Sequence, residues 1–160
     1  MNRLELTQIG EHLEVTLNNA ELSGYKVTHE FKKLSIFHEG DLIFQTDSEK
    51  YLNFIRLGEV LEVKRNQNDI FEFGIYDTEH LKRFSIIESV DLGWKSNFYE
   101  YYKVYDLTSG RSFIIEYNPW RFFLPFKLKV YFEKDVVETV LCVSTYILLK
   151  IKMTSHDVLN

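Results

Sequence analysis

The chain is poor in the residues that usually announce a specialised fold: of its 160 residues one is cysteine, two are proline and seven are glycine. A lone thiol, Cys142, excludes an internal disulfide and a thiolate metal cage, and a reducing compartment, the cytoplasm, is the simplest reading. No Pro-rich or Ser-rich linker and no low-complexity run divides the chain, so residues 1–160 read as a single domain with a sizeable core. Cations are not in excess: 24 acidic against 19 basic residues leave a net charge of −5, without the clustered cations that displace counterions from nucleic acid. The opening "MNRLELTQIG" alternates polar and apolar residues and holds no apolar core of signal-peptide length. H-E-x-x-H, P-loop, G-x-S-x-G and dinucleotide fingerprints are all missing, so the expectation is a protein that is not an enzyme and carries no cofactor or metal.

What is present is aromatic and alternating. Aromatic residues make up 16% of the chain, a composition suited to pleated, half-buried surfaces. Glycines at 10, 24, 40, 58, 74, 93 and 110 recur every 14 to 19 residues, about two short strands per interval. Between them lie runs such as "RLELTQI", "HLEVTLN", "YKVTHEF", "DLIFQT" and "RSFIIEY", and twelve candidate strands can be counted between residues 3 and 132. Turn residues at 39–40, 57–59, 66–69 and 108–111 join them as antiparallel neighbours. Alternation assigns faces: Leu4 and Leu6, with Ile9, oppose Arg3, Glu5 and Thr7, while Phe126, Leu128, Val130 and Phe132 oppose Lys127, Lys129 and Tyr131. A closed sheet would put the dry faces inside and remove exposed edges.

One segment breaks the pattern. "DVVETVLCVSTYILLK", residues 135–150, is too short and too polar at Glu138 to cross a membrane. No turn residue divides it into paired strands, although it is rich in β-branched residues. Asp135 followed by Glu138 has capping-box spacing, and Lys150 and Lys152 suit the negative end of a helix dipole, so a helix is expected over about 135–152 with a tail at 153–160. Thr139 to Leu149 contains no charge, and a helix without a charged stripe should be covered on most sides.

About twelve short strands followed by "DVVETVLCVSTYILL" resembles the tubby C-terminal-domain-like superfamily, which includes the LURP-one-related proteins and the phospholipid scramblases. The resemblance implies a closed antiparallel barrel of about 12 strands around a central apolar helix, and phosphoinositide binding through basic side chains on the exterior. No stretch here matches that basic cluster. Fold alternatives are a lipocalin-like or pleckstrin-homology-like barrel with an external helix.

Candidate sites are few. In "NPWRFFLPFKLK", Trp120, Arg121, Phe122 and Phe123 stand between Pro119 and Pro125, with Lys127 and Lys129 following. Such a loop would insert aromatics at a headgroup boundary while cations meet anionic lipid, dock a protein partner, or fold down as a barrel plug. Tyr99, Tyr101 and Tyr105 share a face with Lys103, opposite Phe98, Tyr102 and Val104; such tyrosines usually cover a core. Lys64, Arg65, Lys82 and Arg83 read as charges guarding strand edges, the histidines as scattered and solvated, and Cys142 as a buried thiol. The functional expectation is a cytoplasmic or peripheral-membrane binding module that contacts phospholipid headgroups or a protein partner through the barrel exterior. The alternative is a carrier of a small hydrophobic ligand.

Overall fold

The computed structural model describes residues 1–10, 12–30, 32–69, 71–92, 98–117 and 126–159, and for 90–92, 98–99 and 153–159 it describes the backbone alone. The strands are β1 (Asn2–Ile9), β2 (His12–Leu17), β3 (Ala20–Glu21), β4 (Tyr25–Glu30), β5 (Lys33–His38), β6 (Asp41–Thr46) and β7 (Tyr51–Phe54). After a 3-10 turn at Ile55–Leu57 come β8 (Glu59–Arg65), β9 (Glu72–Tyr76), β10 (Lys82–Leu92), β11 (Phe98–Asp106), β12 (Arg111–Tyr117) and β13 (Lys127–Phe132), then α1 (Val137–Leu159).

Each strand from β4 to β13 pairs antiparallel with its chain neighbour, β1 pairs with β13, and β1 also pairs with β2, so twelve strands close a ring. The thirteenth, β3, pairs only with the far end of β2. It was not foreseen because two residues are too few to show alternation. Asn18 and Asn19, at φ of 52° and 70°, form the hairpin turn that starts it, and Glu39 and Gly40, at 52° and 84°, form the matching turn between β5 and β6. Positive φ at both central residues gives a turn whose twist matches the strands it joins. The ring is thinnest where β6 meets β7, with one register pair, Gln45↔Asn53, and nearly as thin where β2 meets β4, with two, His12↔Thr28 and Leu13↔Val27.

The faces follow the alternation. Leu4, Leu6, Leu128, Val130, Phe132, Tyr102 and Val104 are buried, whereas Ile9, expected inside, is exposed where β1 ends. In a closed ring Lys64, Arg65, Lys82 and Arg83 guard no edge. Lys82 pairs with Glu72 at 3.4 Å, Arg83 with Glu59 at 3.3 Å, and Arg65 and Lys64 lie over the rings of Phe73 and Tyr76.

Twelve consecutive residues of α1, Val140 to Ile151, are buried and join the strand residues in one core cluster. Two expectations for the helix need correction. It begins at Val137 and runs to Leu159, because "KMTSHDVL" supplies neither Gly nor Pro to stop it; there is no tail from 153. The capping box does not form either. The first helical bond runs from the Val140 amide to the Val136 carbonyl, leaving Asp135 one residue outside, and Glu138 is spent elsewhere.

Candidate functional site

Polar contacts tie α1 to the wall at its start, at mid-helix and again at Lys150 and Lys152. At its start Glu138 accepts from Arg56 Nη1 at 2.6 Å and from the Tyr25 hydroxyl at 3.2 Å. Arg56 also donates to His38 Nδ1 at 2.8 Å, and the His38 ring stacks on Tyr25 with centroids 4.3 Å apart. Since guanidinium can only donate, His38 Nδ1 is the acceptor and Nε2 carries the proton. At mid-helix the Tyr146 hydroxyl donates to the Glu49 carbonyl at 2.7 Å.

Toward the other end Lys150 donates to Glu88, its ammonium 5.0 Å from the centre of the Phe73 ring. Glu100 accepts from the Tyr102 hydroxyl at 3.3 Å, and burial, with Glu88 adding, raises its pKa. Burial likewise pushes the Tyr102 and Tyr146 hydroxyls and the Cys142 thiol well above their ordinary values. Lys152 donates to Gln8, contacts His29 Nδ1 at 3.3 Å and lies over the Phe126 ring; burial alone lowers its pKa to about 8. His29 and His38 are therefore parts of these ties, not scattered solvated side chains. A strand pattern could not reveal this, because both contacts cross more than a dozen residues of sequence.

The loop singled out by sequence, with Trp120, Arg121, Phe122 and Phe123, lies outside the described residues. Its two flanks meet: Tyr117 and Phe126 stack with centroids 4.8 Å apart. Lys127 and Lys129 stand on the outer face of β13 in a ladder of mixed charge. Lys127 pairs with Glu5 at 3.4 Å, and Lys129 sits in register between Glu5 and Glu116.

Uncommitted charge gathers higher on the same wall. The outer row across β10, β11, β12, β13 and β1 reads Ile87, Lys103, Ile114, Tyr131 and Arg3, each in register with the next. Ile87 and Ile114 are exposed, and Lys103 lies 5.1 Å from the Tyr105 ring centre. Beside this row runs a groove of about 480 Å³, bounded by β11, β12, β13 and the connection into α1. Lys103, Arg111 and Lys134 bring positive charge to it, Glu133 and Asp135 negative charge, and Ile114, Tyr131 and Phe132 apolar surface. Arg111 is turned in by a bond from Nη1 to the Lys134 carbonyl. Among the described residues no ion pair joins these charges to one another or to others, and Asp135 Oδ1 is buried without a hydrogen-bond partner. Sequence reasoning placed Lys103 on the right face but took Arg111 as turn chemistry and Asp135 as a cap.

A larger hollow of about 1020 Å³ follows β4 past the thin β2–β4 seam. Its Gln8, His29 and Tyr25 are already spent on α1, which makes it the weaker candidate. Among the described residues no group of His, Cys, Asp and Glu is arranged to hold a metal, and no helix is long and apolar enough to cross a membrane. No family model, curated protein or solved structure matches the chain.

Proposed function

We propose that the chain is a non-enzymatic binding module in which the barrel encloses α1 as a central helix, and in which the outer wall of β10 to β13 meets anionic phospholipid headgroups. The enclosed helix is supported by its girth. A helix lying on a sheet surface keeps a wet stripe, but Val140 to Ile151 has none. Its contacts also reach strands spread around the ring: Gln8 on β1, Tyr25 and His29 on β4, Glu49 before β7, Arg56 after it and Glu88 on β10. This is the arrangement expected of a tubby-like member. With the interior taken up by a helix, little space is left for a carried ligand, and work falls to the exterior.

The observation that carries the headgroup reading is the pairing of cations that have no carboxylate partner among the described residues with exposed Ile87 and Ile114 on one wall. Peripheral lipid-binding surfaces combine shallow apolar insertion with cations near the headgroups, each cation contributing about 1 kcal/mol. The overall negative charge makes such binding local and sensitive to salt. Co-sedimentation with vesicles tests it. The wild-type protein should pellet with vesicles containing phosphatidylserine and stay in solution with pure phosphatidylcholine, and Lys103→Glu/Arg111→Glu should stay in solution with both. Equal behaviour of wild type and variant on anionic vesicles would refute the assignment of this wall. Failure of the wild type to pellet at all would end the lipid reading in favour of a protein partner.

A further inference from the structure

The groove of about 480 Å³ holds charges of both signs with no ion pair between them among the described residues. Lys103 and Lys134 have no carboxylate partner among the described residues. Arg111 commits one nitrogen to a carbonyl and keeps its other donors. Asp135 accepts from no donor among the described residues, and one of its oxygens is already out of water. With Oδ1 shut away from any donor, the carboxylate of this half-buried residue has only its other oxygen left to accept a hydrogen bond, and a charged donor brought by a ligand would offset part of the desolvation cost there. A plain anion would satisfy the cations and make matters worse for Asp135, because a second negative charge would face its carboxylate across a partly desolvated groove.

We infer that the groove takes a zwitterionic head: a phosphate or carboxylate seated against Lys103 and Arg111, with a primary ammonium a few bonds away that donates to Asp135. This rests on the groove being the module's binding surface and adds the choice of ligand class. A quaternary ammonium does not fit the same role, having no N–H to give. Phosphoserine and phosphoethanolamine groups carry both charges in the required proximity, either as lipid headgroups or as free molecules. Asp135 is thus a specificity residue, and the cations supply attraction that does not discriminate among anions.

Phosphatidylserine and phosphatidylglycerol vesicles carry the same net charge and differ in the ammonium, so they separate the two contributions. Wild-type protein should bind phosphatidylserine about tenfold more tightly, the worth of one charge-assisted hydrogen bond. Asp135→Asn should abolish the difference, weakening phosphatidylserine binding and relieving the repulsion that phosphatidylglycerol meets from the carboxylate, and Lys103→Met should weaken both alike. Titration with soluble O-phosphoserine, followed by amide chemical shifts of Arg111 and Ser112, distinguishes the sources: shifts there without vesicle binding assign the site to a free molecule. A urea midpoint for Asp135→Asn within error of wild type shows that the variant reads recognition. Equal wild-type affinity for the two anionic vesicles, or a serine preference that survives Asp135→Asn, overturns the ammonium contact while leaving the binding wall intact. No response to either vesicle or to O-phosphoserine overturns both.

Discussion

Tyr146→Ala is expected to destabilise the fold by about 3–5 kcal/mol, the range for deleting a large buried ring. The residue is fully buried, its ring meets Phe73 edge-on with centroids 6.4 Å apart, and its hydroxyl donates to the Glu49 carbonyl ahead of β7. Truncation therefore removes a packed volume and a tie between helix and wall together. Tyr146→Phe separates the two, keeping the ring and losing the hydroxyl, and should cost about 1 kcal/mol. Urea unfolding measures both. Near-equal losses for the two variants would mean that the ring packs loosely and that the hydrogen bond dominates.

The second large effect is expected at Lys150, whose side chain is almost wholly buried against Glu88 and two aromatic rings. Glu88→Ala takes from this buried ammonium its close carboxylate, and Glu100, held toward its neutral form by burial, replaces that charge poorly. Removing one member of a buried pair costs about 3–5 kcal/mol; with Glu88 itself partly exposed and two aromatic rings still facing the ammonium, the lower end applies. The double variant Glu88→Leu/Lys150→Met, which replaces both charges by apolar groups of similar bulk, should recover most of the loss. A double variant no more stable than Glu88→Ala would show that the pair contributes attraction beyond repaying its own desolvation.

Much of the barrel was legible in the sequence because the information is local. Alternation in "RLELTQI" and "KLKVYF" declares which side chains face the core whatever the partner strands are, and the uncharged stretch after Thr139 declares a buried helix. Boundaries set by competition were not legible. Asp135 and Glu138 have the spacing of a capping box, yet Arg56 and Tyr25, distant in sequence, claim the Glu138 carboxylate. Lys150 and Lys152 looked like dipole partners at a helix end, and they sit within a helix that continues to Leu159, each satisfied by strands that only the closed ring brings near. The candidate groove was hidden for the same reason. Lys103, Arg111 and Asp135 belong to three separate segments, and only the β11–β12–β13 registers place them along one wall.

The central claim is that the barrel encloses α1, and the chain carries its own probe in Cys142, its one cysteine, in the second turn of the helix and 2% exposed. The deciding measurement is the rate of Cys142 modification by a water-soluble thiol reagent across a series of urea concentrations below the unfolding transition. An enclosed helix can expose the thiol only when the barrel opens, so labelling should be slowed by the full unfolding equilibrium and should accelerate with urea at the slope of global unfolding. Labelling that is fast in native buffer, or whose urea slope is a fraction of the global one, would mean that α1 lifts off as a unit while the strands stay closed, and would contradict the enclosure.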